Sequence, residues 1–342
     1  MSTKKVFITI GIAFTVFLMT LPLISYKFLK KSVEVEVFNH LITVRELLKS
    51  QIEGYFQDRF GDVDVLARNP VTGQAFSRLE KAFHATGLDG RQYTKIAGLY
   101  EPLMEYYLTD YGYVNIYFIG KDGDVLFSAI REEFTGTNLL TGRYKQFSIG
   151  QVFASAFDGV AFEDYTWHEE MQEFTSYFAA PVYDGQMLLG VLVIEIPFSH
   201  LDAIMTHRAG LGETGEMYLV GEDGYMRSNS RFSETPTILQ KEVDTEATME
   251  AFSGIVGQKI VKDYRGVPVL SAYTMLDLKF VNWALLVEID EAEALAAIKT
   301  VEKRVMILGS LISCITFLYI YLVNRKKNQQ IIADSLAEES KT

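Results

Sequence analysis

Two long apolar segments, one near each end of the chain, constrain the fold more than any other feature of this sequence. Residues 6–26 and residues 305–323 form runs of 21 and 19 residues without a charged side chain. An α-helix rises about 1.5 Å per residue, so each run roughly matches the thickness of a bilayer's hydrocarbon core. The first run lacks the small-residue cleavage site that ends a signal peptide. The sequence therefore predicts two transmembrane helices.

Basic residues next to these runs predict the orientation of the chain. The basic run 325–327 directly follows the second apolar segment, and Lys and Arg close to a span favour the cytoplasmic side. Long loops cross the membrane largely regardless of their charge. We therefore expect a protein of the inner (plasma) membrane with cytoplasmic termini, 1–5 and 324–342, and with residues 27–304 outside the cytoplasm.

The segment after the first apolar run has a helical repeat. From Val37 to Leu66 apolar side chains recur in steps of three and four, which is the spacing of one helix face. Asn69-Pro70 ends the pattern, and residues 27–112 are expected to form a long stalk helix and a further helical segment. The stripe fits packing on the helix's own domain, or additional pairing with a second copy. We expect a homodimer.

The central part of the chain contains an internal repeat. Tyr117-Phe-Ile-Gly-Lys-Asp-Gly123 returns 101 residues later as Tyr218-Leu-Val-Gly-Glu-Asp-Gly224, and Glu195-Ile196 returns as Glu288-Ile289. Short strand patterns separated by Gly-containing turns surround both copies. Two matches in the same order indicate two related units.

The repeat predicts an α+β fold with two tandem, mostly antiparallel sheets of about five strands each. We expect a membrane-distal unit at 113–209 and a membrane-proximal unit at 210–290. A connecting helix, 291–304, would join the second unit to the second apolar segment.

Composition and motifs exclude several classes of function. Acidic residues outnumber basic ones by 44 to 32, which argues against nucleic-acid binding because that affinity depends on Lys and Arg. Cys314, the only cysteine, lies in the second apolar segment, so disulfides and cysteine metal sites are excluded. Gly210-Leu-Gly-Glu-Thr-Gly215 has dinucleotide-fingerprint spacing, but it follows a predicted helix and precedes a strand, the reverse of the required order. We expect no enzymatic activity and no cofactor.

Two other polar clusters are predicted to be structural. His168-Glu169-Glu170 is the one place where a histidine lies among carboxylates. It lacks the spacing of a zinc-binding helix, so we expect a solvated loop and no metal. In the proximal unit, Arg227, Ser228 and Arg231 follow the hairpin and are expected to form a polar network.

The distal unit holds the residues most typical of a small-molecule site, which is usually lined by aromatic walls with a few polar groups. Asp164 would pair with a cationic or hydroxyl-bearing ligand, although an Asp here fits equally well as a turn cap beside core aromatics. The predicted ligand-binding residues are Asp164, Tyr165, Trp167, Tyr177, Tyr144, Arg131 and Asn138.

Together these features resemble the double Cache sensor domain of bacterial chemoreceptors, sensor kinases and cyclases. The most specific stretch is 210–232, which is similar to the start of the membrane-proximal unit in many members. The resemblance covers roughly residues 30–300 and implies two tandem PAS-like units. Stretches that match the distal unit are 122–127, 136–142, 179–182 and 204–205.

Two departures from the family pattern limit what the resemblance implies. Arg143-Tyr-Lys-Gln146 does not supply the Arg-x-Trp-Tyr cluster of the amino-acid-binding subgroup, so amino acids are not implied as ligands. Members usually continue past the second span into a HAMP, methyl-accepting, kinase or cyclase region, whereas 19 residues follow it here. We therefore expect a separate or lost cytoplasmic output module.

The resemblance implies an extracytoplasmic small-molecule sensor of signal-transduction or chemotaxis type. Ligand binding would be relayed through the second span to a cytoplasmic kinase or methyl-accepting partner. The alternative is a structural or accessory envelope protein whose two units bind another protein.

Overall fold

The computed structural model describes residues 3–169, 172–206 and 210–339 of the chain. Its first element, α1 (Thr3–Arg68), is a single helix of 66 residues. Within the described part of the chain, one helical stretch is long and apolar enough to cross a membrane, Ala296–Gln330, with a mean hydropathy of 2.2. Many side chains of 6–26 lie outside the described set, so the first predicted span stays a prediction.

Local sequence signals set the helices that follow α1. The Asn69 side chain accepts a hydrogen bond from the Val71 amide at 2.9 Å and so caps α2 (Pro70–Thr86). Asn at a helix cap and Pro in the first turn both favour a helix start. The predicted break at Asn69-Pro70 is therefore confirmed. A third helix, α3 (Arg91–Tyr111), follows and packs against α2.

The distal sheet has five antiparallel strands in the order β2-β1-β5-β4-β3. Its opposite faces pack on different partners: one on α1 and α2, the other on the short helix α4 (Ser148–Ser155). A further helix, α5 (Ser199–Met205), leaves the sheet toward the second unit. The strands are β1 (Asn115–Gly120), β2 (Val125–Ser128), β3 (Ala161–His168), β4 (Glu173–Asp184) and β5 (Met187–Pro197).

The proximal sheet has four antiparallel strands in the order β6-β9-β8-β7, rather than the five expected. At the place of a fifth strand, the Leu219 amide donates to the Ser228 hydroxyl at 3.0 Å, and Tyr225 and Met226 form only isolated bridges. Because the Ser228 hydroxyl takes the place of a backbone carbonyl as acceptor for the Leu219 amide, the ladder of backbone hydrogen bonds is interrupted here. The elements are β6 (Glu216–Gly221), α6 (Glu246–Phe252), β7 (Gly257–Lys262), β8 (Pro268–Met275) and β9 (Trp283–Asp290).

Helix α1 joins the two units because its buried face packs on both sheets. The Phe56 ring lies 5.2 Å from the Phe162 ring of the distal sheet and 5.4 Å from the Trp283 ring of the proximal sheet. After β9 come α7 (Glu291–Ala294) and α8 (Ala296–Glu339). The predicted connecting helix is thus divided at Leu295. The α+β class, the long first helix and the two antiparallel sheets agree with the sequence prediction.

Candidate ligand-binding site

A cavity of about 310 Å³ opens on the distal unit, between β3 and the segment that follows β2. Small-molecule sites are typically apolar clefts of about this size or larger with a few convergent polar groups. Five aromatic side chains form most of the wall: Phe134, Tyr144, Phe147, Trp167 and Tyr177. The polar lining includes Glu132, Glu133, His168 and Glu169.

The aromatic wall is held by contacts among its own rings and with the buried ring of Tyr117. The Phe134 ring lies 5.2 Å from the Tyr117 ring and 5.6 Å from the Tyr144 ring, and Tyr144 lies 5.4 Å from Phe147. Aromatic pairs at such distances each contribute about 0.5–1.5 kcal/mol beyond their buried area. The wall is therefore preformed, and Trp167, which is 44% exposed, borders the opening.

A buried carboxylate cluster closes the inner end of the cavity. The Glu195 side chain on β5 is fully buried and accepts hydrogen bonds from the Tyr117 hydroxyl at 2.5 Å and the Tyr177 hydroxyl at 3.1 Å. The Tyr117 oxygen also lies 2.8 Å from Glu132 Oε1. His168 Nε2 lies 3.5 Å from Glu132 Oε2 and 3.6 Å from Glu195 Oε1. Two carboxyl groups and an imidazole thus converge at one point.

Burial dominates the electrostatics of this inner end. It raises the pKa of the Glu195 carboxyl, against the opposing effects of the Tyr117 hydrogen bond and the nearby His168. Burial likewise raises the pKa of the Tyr117 and Tyr177 hydroxyls well above the usual value, so both remain protonated donors. The cluster can hold a proton or a cation.

At the opening, the charges are solvated. Arg143 donates to Glu133 at 2.7 Å, and its guanidinium lies 4.6 Å from the centre of the Tyr144 ring. Both partners of this ion pair are about 70% exposed, and such pairs contribute little to stability. Arg143 is therefore free to exchange partners with an entering molecule.

The structure brings together three of the seven predicted site residues. Tyr144, Trp167 and Tyr177 all line the cavity. Asp164 and Tyr165 do not, because the register of β3 against β4 shifts between Glu163 and Thr166. The shift places Tyr165 in the core on the α1 side of the sheet. The expectation of one cluster that includes Asp164 and Tyr165 is wrong.

Asp164 and Tyr165 instead join the distal unit to the proximal one. Asp164 Oδ2 accepts from Arg227 Nε at 2.8 Å and from Trp283 Nε1 at 3.3 Å. The Tyr165 ring stacks on the Trp283 ring at 5.9 Å. Arg227, expected to be structural, also binds Asp223 at 2.8 Å. Among the described residues, the ion pair between Asp164 and Arg227 is the main polar link between the two sheets.

Arg131 and Asn138 also lie apart from the cavity lining. Arg131 forms an exposed ion pair with Asp89 at 3.1 Å. The Asn138 amide closes a turn, since its nitrogen donates to the Asp122 carbonyl and to Asp124, both at 2.8 Å, and its oxygen accepts from the Leu140 amide. Both residues have local structural roles, and whether any of the seven residues binds a ligand stays a prediction.

Sequence reasoning missed the residues at the inner end of the cavity. His168 is the last residue of β3, and its side chain is 10% exposed, so the predicted solvated loop is wrong for this residue. Glu170 lies outside the described residues. A signal was available in β5, where Glu195 interrupts an otherwise apolar strand. A lone carboxylate at a buried strand position requires partners.

Comparisons with known proteins agree with this architecture. No curated protein sequence matches the chain. The ligand-binding domain of the Pseudomonas aeruginosa amino acid chemoreceptor PctC, solved with GABA, is 17% identical, with a TM-score of 0.52 over 74% of this chain and 100% of that one. The Campylobacter jejuni chemoreceptor Tlp3 domain, solved with 4-methylisoleucine, is 13% identical, with a TM-score of 0.55 over 78% of this chain and 96% of that one. These likenesses establish a shared fold.

A third solved domain, that of the Pseudomonas fluorescens chemoreceptor CtaA with L-leucine, is 12% identical, with a TM-score of 0.51 over 77% of this chain and 99% of that one. The profile of the Cache domain, dCache_1, matches residues 25–298, well over half of the sequence. This match confirms the resemblance seen in the sequence: the chain belongs to the double Cache domain family.

Proposed function

We propose that this protein is a membrane-anchored extracytoplasmic sensor that binds a small organic ligand in the distal cavity. The observation that carries the proposal is the cavity itself, with its preformed aromatic wall and its polar groups at both ends. Its volume of about 310 Å³ suits a metabolite of roughly amino-acid size. Membership of the Cache family supports a role in ligand sensing.

The charges around the cavity favour a ligand that carries a cationic amine. Glu133 and Glu169 lie at the opening with the rings of Tyr144 and Trp167, and an ammonium group is attracted both to carboxylates and to aromatic faces. Arg143 is the basic residue paired with Glu133. GABA, 4-methylisoleucine and L-leucine, found with the related domains, are compounds with an amino group.

We further propose that binding is relayed through β9 to α8. The relay would begin at β3, where Trp167 lines the cavity and Tyr165 contacts Trp283, the first residue of β9. At the other end of β9, Lys30 of α1 donates to Glu291 of α7 at 3.1 Å. A displacement of β3 is thus coupled by contiguous packing to the helix that leads to the membrane. A cytoplasmic kinase or methyl-accepting partner would receive the signal.

Ligand binding is tested with the full chain in lipid nanodiscs. EDTA-treated protein is screened by thermal shift against amino acids and small amines, and hits are quantified by calorimetry. Trp167→Ala should lower the affinity about fivefold or more, since loss of one aromatic contact costs about 1 kcal/mol or more. Tyr183→Ala is the matched control, because Tyr183 is similarly exposed, at 48%, and lies outside the cavity lining. A library without a single hit, together with a stoichiometric envelope protein partner, would favour the accessory-protein alternative.

The relay is tested separately with the ligand found in that screen. Single cysteines along 305–323 in a Cys314→Ser background report the spacing of α8 in a dimer by crosslinking. We expect a ligand-dependent change in the crosslinking pattern, because helix shifts of about 1–2 Å are typical of such switches. An unchanged pattern, with binding verified in the same membranes, would contradict the relay and leave the binding function intact.

A further inference from the structure

We propose that the inner end of the distal cavity is a binding site for a divalent transition-metal ion, with Glu132, His168 and Glu195 as its ligands. One histidine nitrogen and two carboxylate oxygens form a donor set that suits Zn²⁺ and its first-row neighbours. The inference goes beyond the organic ligand proposed above and requires no such ligand to be present.

The distances from His168 to the two carboxylate oxygens fit a metal ion better than they fit direct hydrogen bonds. The three atoms lie within 4.8 Å of one another, and His168 Nε2 is 3.5 and 3.6 Å from the two carboxylate oxygens. A tetrahedral ion with bonds of about 2.0–2.2 Å separates its ligand atoms by about 3.3–3.6 Å. A charged imidazole that bridged the carboxylates would sit at about 2.7–2.9 Å instead.

Surrounding donors hold both carboxylates in the orientation that a metal requires. Glu132 Oε1 accepts from Asn115 Nδ2 at 2.7 Å and lies 2.8 Å from the Tyr117 oxygen, while the other oxygen, Oε2, faces His168. In Glu195, Oε2 accepts from the Tyr117 hydroxyl, while Oε1 faces His168 and also accepts from the Tyr177 hydroxyl at 3.1 Å. Hydrogen bonds from surrounding groups that orient the metal-ligating side chains are typical of metal sites in proteins.

The charge balance at this point also favours a cation. Among the ion pairs of the described residues, His168 is the one basic partner that Glu132 and Glu195 have. The side chains of the two glutamates are 6% and 0% exposed, and buried carboxylates in proteins are normally paired with a positive charge or a metal ion. A divalent ion would neutralise both. The cavity provides its path of entry and room for a further ligand such as water.

The test measures metal binding to the full chain, purified with a tag that contains no histidine. Protein stripped with EDTA is dialysed against ZnCl₂ or MnCl₂ and analysed by mass spectrometry of the metal. We expect wild-type protein to bind one ion per chain. Glu132→Gln and His168→Asn should each lose the ion, and both substitutions preserve the polarity and approximate size of the side chain. His84→Ala is the matched control, because His84 is an exposed histidine beside a carboxylate, 4.0 Å from Asp124, outside the cavity, and it should retain the ion.

Three further measurements keep the result interpretable. Tyr177→Phe removes a hydroxyl that donates to Glu195 and should weaken binding by about 10–100-fold, as is usual for groups that orient metal ligands. Co²⁺ should give a visible absorption band of a four- or five-coordinate site that is lost in His168→Asn, and melting temperatures without metal verify that the variants fold. Wild-type protein that binds no stoichiometric ion, or a folded His168→Asn variant that binds as tightly as wild type, would overturn the proposal.

Discussion

Glu288→Gln should make the stability of the protein less dependent on pH and should stabilise it above neutral pH. Glu288 lies on β9 of the proximal sheet and is fully buried, and its Oε2 accepts from the Tyr218 hydroxyl at 2.9 Å. Its other oxygen, Oε1, has no hydrogen-bond partner among the described residues. Burial, reinforced by the nearby charges of Asp263 and Glu216, raises the pKa of this carboxyl to about 7.

The size and sign of the effect follow from proton linkage. In the unfolded chain the Glu288 carboxyl loses its proton near the ordinary glutamate pKa of 4.5, whereas in the folded protein it keeps the proton up to about pH 7. The folded state therefore binds more protons in this window, and its stability falls as the pH rises from about 4.5 to about 7. At about 1.4 kcal/mol per pKa unit, the loss approaches roughly 3 kcal/mol above pH 7.

A glutamine at this position does not titrate, so it avoids that loss. Its oxygen can accept from Tyr218, and its amide can donate to the Ser271 hydroxyl, which faces it across β8 and β9. We expect Glu288→Gln to match wild type near pH 5 and to exceed it by up to about 3 kcal/mol at pH 8.5.

The assay is urea unfolding of the full chain in detergent between pH 5 and 8.5, followed by the fluorescence of the buried Trp283. Other groups titrate over this range, so the quantity of interest is the difference in unfolding free energy between variant and wild type at each pH. Glu222→Gln, an exposed position on the same unit that binds Asn282, is the matched control and should show a flat difference. A flat or decreasing difference for Glu288→Gln would refute the reasoning and mean that the carboxylate is charged in the folded protein.

Three further substitutions test the packing. Asp164→Ala should lower the melting temperature of the ligand-free protein, because it removes a hydrogen-bond acceptor from the nearly buried Arg227. The expected cost is about 1–3 kcal/mol. Unchanged stability would make Asp164 a candidate binding residue again. Gly190→Ala should destabilise by about 1–3 kcal/mol or more, since its Cβ would collide with the Ile119 carbonyl on β1, measurable by urea unfolding. In α1, a Cβ added at Gly54 would have no atom within 4 Å, so Gly54→Ala should raise the unfolding free energy by about 0.5–1 kcal/mol. A lower unfolding free energy would indicate that this face of the helix is covered.

The parts of the fold that the sequence predicted well depend on local signals. The end of α1 is set by Asn69-Pro70, whose capping geometry follows from residue type alone. The two units were visible because the repeat retains a tyrosine on the first strand and a glutamate on the last in each copy. The structure pairs these residues as Tyr117 with Glu195 and Tyr218 with Glu288.

The parts that could not be predicted depend on contacts between distant segments. Regular alternation along β3 would place Tyr165 on the same face as Ala161, which packs on the cavity side of the sheet. The irregular register between Glu163 and Thr166 instead places Tyr165 on the same face as Phe162. A bulge of this kind puts every later side chain of the strand on the face opposite to the one that alternation predicts. The contacts of His168 could not be predicted either, because Glu132 and Glu195 lie in segments separated from it by tens of residues.

The two units use the same tyrosine–glutamate pair in electrostatic surroundings that differ in one basic residue. Burial raises the pKa of both glutamates, and in each unit a nearby carboxylate adds to this effect, Glu132 beside Glu195 and Asp263 beside Glu288. The units differ in His168, whose charge opposes the rise in the pKa of Glu195. A nearby imidazole favours the ionised form of a carboxyl, which can attract a cation, whereas burial among other carboxylates favours the protonated form. The repeat thus separates two tasks on one scaffold. This difference supports the proposal that the distal copy binds the ligand and that the proximal copy, on the strand that leads to α8, serves packing and transmission.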